Sequence, residues 1–139
     1  MPARARVGTC YHRITSRADL VEHELLWTSA GNGQVRFTVE GLAGVLWWAT
    51  AIPVDATAGY DVRLTDARGA DMLLGRLMDR SATAAELVYI YDAANNLTYT
   101  PVSGLHTLEI DNAGASKSGI VIIALKYGVE SPYAQTLRP

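Results

Sequence analysis

Apolar and polar residues alternate along most of this chain with the two-residue period of half-buried β-strands. Residues 35–39 show the pattern clearly, because valine, phenylalanine and valine are separated by arginine and threonine. Similar alternation runs through residues 20–28 and 60–66. Each such strand would turn one face to a core and the other to solvent, which is typical of antiparallel sheets.

Two segments, 44–52 and 120–125, are apolar on both faces. Such runs predict central strands, or strands whose outer face meets a partner. Glycine and asparagine stand between most of the apolar segments, where they supply the positive φ that tight hairpins need. The pattern predicts eight or nine strands, near residues 9–16, 20–28, 34–39, 44–53, 60–66, 71–75, 86–91, 105–111 and 119–127.

Regular strand spacing with turn residues between the strands predicts an all-β fold. The preferred architecture is an antiparallel β-sandwich, a jelly roll of about eight strands. An immunoglobulin-like sandwich is the alternative, although its Cys-Trp-Cys pattern is missing. Residues 80–87 predict a short helical turn between strands. The length of 139 residues fits a single domain over residues 1–139.

Alternation is absent at the two ends of the chain. Residues 1–8 are predicted to form an N-terminal arm, and residues 128–139 an extended C-terminal arm. No secretory signal and no apolar run of about 20 residues is found, so we expect synthesis in the cytoplasm and no membrane partner. The single Cys10 rules out an intramolecular disulfide framework.

The charge balance argues against nucleic-acid binding, because the formal net charge is −2. Arginine outnumbers lysine ten to two. Arginine is favoured at protein interfaces, so the bias fits a protein that works in contact with another protein. A genome rich in G and C would produce the same bias, and the sequence leaves both explanations open.

The histidines and the cysteine do not form a recognisable site. His12, His23 and His106 fall on different predicted strands, without the ligand spacing of a zinc motif. They are expected to be ordinary strand residues at sheet surfaces. Cys10 lies in a predicted strand, where a buried thiol is expected rather than a reactive one. No catalytic residue, metal ligand or cofactor is predicted.

Three aspartates recur at every fifth residue across one hairpin, at Asp61, Asp66 and Asp71. Calcium needs six to eight oxygen ligands, of which these carboxylates and turn carbonyls would supply some. The simpler interpretation is that Asp66 opens a type I turn in which Gly69 takes the left-handed position, and that Asp71 caps its far side. The turn interpretation is preferred.

Trp47 and Trp48 are the strongest candidates for contact with another molecule. Adjacent strand residues point to opposite faces, so one tryptophan is expected in the core and the other outside. An exposed tryptophan can stack on a sugar or anchor a protein interface. The alternative is that both tryptophans are covered within the domain. Tyr89, Tyr91 and Tyr99 would extend the aromatic surface.

The hairpin residues between 44 and 127 include several characteristic segments. They are Tyr60-Asp-Val-x-Leu-Thr-Asp66-x-x-Gly-x-Asp71-x-Leu-x-Gly75, Asp79-Arg-Ser-Ala-Thr83, Pro101-Val-x-Gly-x-His-Thr-Leu108, Asn112-Ala-Gly114 and Lys117-x-Gly119. These segments resemble those of small structural proteins of tailed bacteriophages, in particular capsid cement or head-decoration proteins. The resemblance rests on turn and strand positions rather than on a catalytic signature.

The resemblance implies a non-enzymatic β-sandwich located in the virion, on the capsid surface. Its partners would be the major capsid protein and further copies of itself, as a dimer or a trimer, with no direct nucleic-acid contact. The predicted interface residues are Leu46, Trp47, Trp48, Ile52, Tyr133, Arg4 and Arg6. The alternative function is a carbohydrate-binding β-sandwich module that uses Trp47 or Trp48 with nearby tyrosines.

Overall fold

The computed structural model describes residues 7–17, 20–90 and 101–126. Within these residues the chain forms seven strands and no helix, and every strand pair is antiparallel. The all-β antiparallel prediction is confirmed. The strands are β1 (Thr9–Arg17), β2 (Leu20–Thr28), β3 (Val35–Pro53), β4 (Asp61–Thr65), β5 (Glu86–Tyr89), β6 (Pro101–Asp111) and β7 (Ser118–Lys126).

The strands form one sheet in the order β1-β2-β7-β3-β6-β4, and β5 pairs with β3 beside this path. The strand β3 is 19 residues long and belongs to both halves of the sheet. Residues 35–45 of β3 pair with β6, whereas residues 45–53 pair with β7. The sequence predicted two separate strands here, near 34–39 and 44–53, and that division is wrong.

The strand β3 is continuous because it contains a bulge at the place where the sequence predicted a turn. The register with β6 shifts between Val39 and Leu42, so Glu40 and Gly41 are accommodated within the strand. Gly41 has a φ of 78°, which glycine adopts without steric cost. A bulge bends a strand and increases its twist without ending it. One continuous strand can therefore pass from one half of the sheet to the other.

Two smaller predictions also differ from the structure. Residues 72–77 form turns rather than a strand, because the Asp71 carboxylate accepts the backbone N–H groups of Leu73 and Gly75 and so folds the residues that follow it. The same carboxylate accepts the N–H of Leu64 in β4. Residues 80–87 are not helical. Ser81 Oγ accepts the N–H groups of Thr83 and Ala84 as a helix cap would, but Glu86 already starts β5. Two turns of helix are too short to persist without support.

A single apolar cluster lies on the inner face of the sheet and includes side chains from β2, β3, β4, β6 and β7. Trp27 of β2 and Tyr60, just before β4, have ring centroids 5.7 Å apart. Three strands separate β2 from β4 in the sheet order, so the sheet must curl for these rings to meet. Leu73 and Leu77 of the turn region complete the cluster, and both are fully buried.

The tight contact between Gly119 and Trp27 predicts that one methyl group added at residue 119 will destabilise the fold. A Cβ atom on Gly119 would lie 2.4 Å from Cζ2 of Trp27, whose side chain is buried and unable to move aside. We expect Gly119→Ala to reduce the free energy of unfolding by about 1–3 kcal/mol through overpacking. Urea denaturation would measure it. Gly31→Ala is the control, because a Cβ on Gly31 meets nothing within 4 Å; equal unfolding midpoints for the two variants would contradict this packing.

Candidate interaction surface

The outer face of one half of the sheet carries rows of apolar side chains. In antiparallel sheets, directly paired residues lie side by side on the same face. Tyr11 is paired with Leu26, which is paired with Ile120. Ile120 is paired in turn with Ile52. This first row therefore crosses β1, β2, β7 and β3 with four large apolar side chains.

Two further rows continue across β7, β3 and β5. We call the three rows together the apolar face. Four of its side chains have large exposed fractions: Tyr11 67%, Leu87 51%, Tyr89 42% and Leu26 37%. The second row contains Ile122, Thr50 and Leu87, and the third contains Ala124, Trp48 and Tyr89.

Charged residues border the apolar face on β1 and β2. Glu22 and Glu24 of β2 stand in the same rows as Ala124 and Ile122. Arg13 Nη2 donates to Glu24 Oε2 at 2.7 Å, so part of this charge is paired within the chain. An apolar centre with a polar margin is the usual composition of a protein interface.

The outer face of the other half of the sheet is different in character. Arg36 of β3, Glu109 of β6 and Arg63 of β4 stand in one row. Arg36 Nη2 donates to Asp111 Oδ1 at 2.9 Å, and Arg63 Nη2 donates to Asp111 Oδ2 at 3.2 Å. Two cations and two carboxylates thus neutralise each other. The charged residues of this half are paired with one another within the chain, and Leu105 of β6 is its large exposed apolar side chain, at 62%. On the apolar face, several large exposed side chains lie in neighbouring positions instead.

A second bulge in β3 determines where the tryptophans point. Leu46 is paired with Leu125 and lies in the core, but the next paired residue is Trp48, opposite Ala124. Trp47 is therefore the extra residue, and the alternation of inner and outer positions reverses after it. Both tryptophans are partly exposed, so the expectation that one enters the core is wrong. The Lys126 ammonium lies 3.9 Å from the Trp47 ring centroid, a cation–π contact.

The predicted interface residues are only partly brought together. Trp48 and Ile52 lie on the apolar face, and Trp47 lies beside it at the bulge. Leu46 is only 3% exposed and belongs to the core. Tyr133, Arg4, Arg6 and most of both predicted arms fall outside the residues that the structure describes.

Sequence reasoning missed most of the apolar face. The two-sided apolar run at 120–125 predicted a central strand, or a strand whose outer face meets a partner, but it did not identify the residues that stand beside Ile120 and Ile122. Leu26, Leu87 and Tyr11 come next to this run only through the long-range register. No local signal in the sequence specifies that register.

The histidines lie away from this face and on the inner side of the sheet. His12 Nε2 and His23 Nδ1 are 2.8 Å apart and share a hydrogen bond. His23 and His106 are only 2% and 5% exposed, so the expectation of surface histidines is wrong for both. Burial, together with the neighbouring His12, lowers the pKa of His23 to about 4. Burial also lowers the pKa of His12.

The aspartates serve the turns, as the simpler interpretation proposed. Asp66 Oδ1 accepts two backbone N–H groups of the following turn, at 2.9 and 3.0 Å, and these bonds hold the pKa of its carboxyl below the usual value. Asp61 accepts the Asp79 N–H and a bond from Asn112. Across the described ranges, no three histidine, cysteine or acidic side chains are grouped so that they could hold a metal ion.

The thiol of Cys10 is in its protonated, unreactive form. Burial raises the pKa of this thiol to about 12, so it stays protonated at neutral pH. The thiolate is the reactive form of cysteine. The side chain packs against the core, in agreement with the expectation of an inert thiol.

Comparison of the chain with protein-family models, with curated proteins and with solved structures found no match. Among the residues with described structure, no helix is long and apolar enough to cross a membrane.

The buried histidine pair predicts a pH dependence of stability. His23 has an ordinary pKa of 6.5 when unfolded and about 4 when folded, so the unfolded chain binds its proton first as the pH falls. Stability should be fully present above pH 6.5 and decline between pH 6.5 and pH 4. Urea unfolding across this range would measure the slope. His23→Gln should flatten it; a wild-type protein equally stable at both ends of the window would contradict the assignment.

Proposed function

We propose that the protein is a structural subunit that attaches through its apolar face to a protein shell. The hairpin resemblance supports a bacteriophage capsid as that shell, so that the chain would act as a cement or decoration subunit on the major capsid protein. The apolar face is the observation that carries the proposal. Large exposed apolar patches on a folded chain mark interaction surfaces.

The size of the face suits repeated attachment. Five strands spaced about 4.8 Å apart span roughly 20 Å, and three rows of side chains about 7 Å apart span roughly 14 Å. Such a patch buries less area than a typical stable protein–protein interface. A symmetric shell offers many equivalent sites, and linked copies bind it far more tightly than single ones. Weak contact per copy is therefore compatible with firm attachment of an oligomer.

For the finer architecture we propose a β-sandwich, with a jelly roll as the preferred topology. The support is the strand β3, whose two parts belong to different halves of the curled sheet. In orthogonal sandwiches, strands pass between sheets at bulges of this kind. The inner faces of the two halves meet at the core cluster, where Trp27 contacts Tyr60.

A charge placed on the apolar face should weaken attachment. Leu87 is 51% exposed, so Leu87→Glu should leave the fold intact while placing a carboxylate within the proposed contact. We expect the affinity of this variant for purified phage particles that lack the protein to fall at least about tenfold, equivalent to about 1.4 kcal/mol of binding free energy. Co-sedimentation with the particles would measure it.

The matched control is Thr38→Glu, which adds the same charge at an exposed position on the polar half of the sheet. This variant should bind as the wild-type protein does. Equal binding by all three proteins would overturn the proposed surface. Failure of the wild-type protein to bind any particle would overturn the proposed function itself.

One observation favours carbohydrate binding as a second candidate function. Trp48 and Tyr89 are directly opposite each other on the apolar face, and both are partly exposed. Two neighbouring aromatic rings can form a platform for sugar rings. A glycan array separates the two candidates. Glycan binding that Trp48→Ala abolishes and Leu87→Glu spares would favour the carbohydrate module.

A further inference from the structure

The outer edge of β1 is long, regular and unpaired within the described part of the chain. β1 pairs with β2 on its inner edge over nine residues, from Thr9 opposite Thr28 to Arg17 opposite Leu20. The register has no shift, so no bulge interrupts the strand. Residues 13–17 are all exposed. A strand edge of this kind presents a row of backbone N–H and C=O groups to an incoming strand.

Apolar side chains are exposed on both faces of this edge strand. Tyr11 belongs to the apolar face and is 67% exposed. Ile14 is 54% exposed and points to the opposite side, because it is paired with the buried His23. A partner docked on one face of the sheet would cover only one of these side chains. A strand added beside β1 would flank both.

We propose that β1 pairs antiparallel with β1 of a second copy, around a twofold axis at Ile14. The paired segment would be residues 11–17 of each copy, which contains the whole exposed stretch. In this register Ile14 lies opposite its own symmetry mate. The remaining pairs are Arg13 with Thr15, His12 with Ser16, and Tyr11 with Arg17.

Side-chain chemistry selects this register over its neighbours. A twofold axis perpendicular to the sheet pairs only residues that share a face, so the axis can shift only by whole residue positions along β1. An axis at Arg13 would place two arginines directly opposite each other, which is unfavourable. An axis at His12 would pair Ile14 with Cys10, which already packs against the core. The axis at Ile14 avoids both and sets each Arg17 beside a tyrosine ring.

A second copy of the chain is the partner that matches the outer edge of β1. Two identical segments have the same length and the same backbone pattern, so seven residue pairs would form about six to eight new hydrogen bonds. The strand carries two arginines and no acidic residue, and the register places no arginine directly opposite another. Arg13 of each copy lies diagonal to Arg13 and Arg17 of the other, and it keeps its ion pair with Glu24 of its own β2. A self-pairing edge therefore satisfies the backbone and covers the exposed isoleucine at once.

The dimer would also arrange the apolar faces. Rotation about an axis perpendicular to the sheet keeps each apolar face on the same side, so two faces would lie next to each other in one continuous surface. This surface could engage two sites of a shell together, which strengthens attachment. The bivalent role rests on the proposed function, whereas the dimer itself does not.

Sedimentation equilibrium of the purified full chain over a wide concentration series tests the dimer without any shell. The wild-type protein should reach twice the chain mass of 15.0 kDa. Ile14→Lys should sediment as a monomer, because two ammonium groups would meet on the axis. Val54→Lys, at a residue 65% exposed outside the strands, is the matched control and should remain dimeric.

A monomeric or trimeric wild-type protein would overturn the proposal, as would an Ile14→Lys variant that still dimerises. If a monomeric wild-type protein binds phage particles, the dimer is wrong and the proposed function is unaffected.

Cross-linking tests the register itself. Under mild oxidation Ile14→Cys should form a disulfide between the two positions 14, whereas Ser16→Cys, which would face His12 of the other copy, should not; the reverse result would overturn the register.

Discussion

The strand β3 pairs with two different neighbours, and the core and both outer faces follow from this double pairing. Its first part pairs with β6 and its second part with β7, so one backbone joins both halves of the sheet. The bulge at Glu40 and Gly41 allows the change of direction. The curled sheet then brings Trp27 against Tyr60 and closes the core. Interrupting β3 would separate the halves and expose the inner face of each.

The same strand divides the outer surface into two chemically different parts. Beside β6 its outward residues join a network in which arginines and carboxylates satisfy one another, as Arg36 does with Asp111. Beside β7 the bulge at Trp47 turns Trp48 outward and aligns it with Tyr89. A network of internal ion pairs needs no partner, whereas the burial of an apolar face away from water lowers the free energy. This difference underlies the proposal of a structural role.

Local sequence predicted the elements whose formation depends on local alternation and turn chemistry. β2 and β7 were located within one or two residues, and the turn at Asp66 was assigned from its aspartate and Gly69. Features that depend on distant residues were missed. A bulge is defined by the register with a partner strand, so alternation along the sequence alone could not predict which way Trp48 points. Leu87 joins the apolar face only because β5 pairs with β3.

Side-chain footprinting with hydroxyl radicals, on the free protein and on protein attached to phage particles, would show whether the apolar face is the surface buried in the assembly. Burial of this face predicts that oxidation of Trp48 and Tyr89 falls on attachment, while oxidation of Met78, exposed on the turn region between β4 and β5, stays the same. Unchanged oxidation of Trp48 and Tyr89 with protection of Met78 would contradict it.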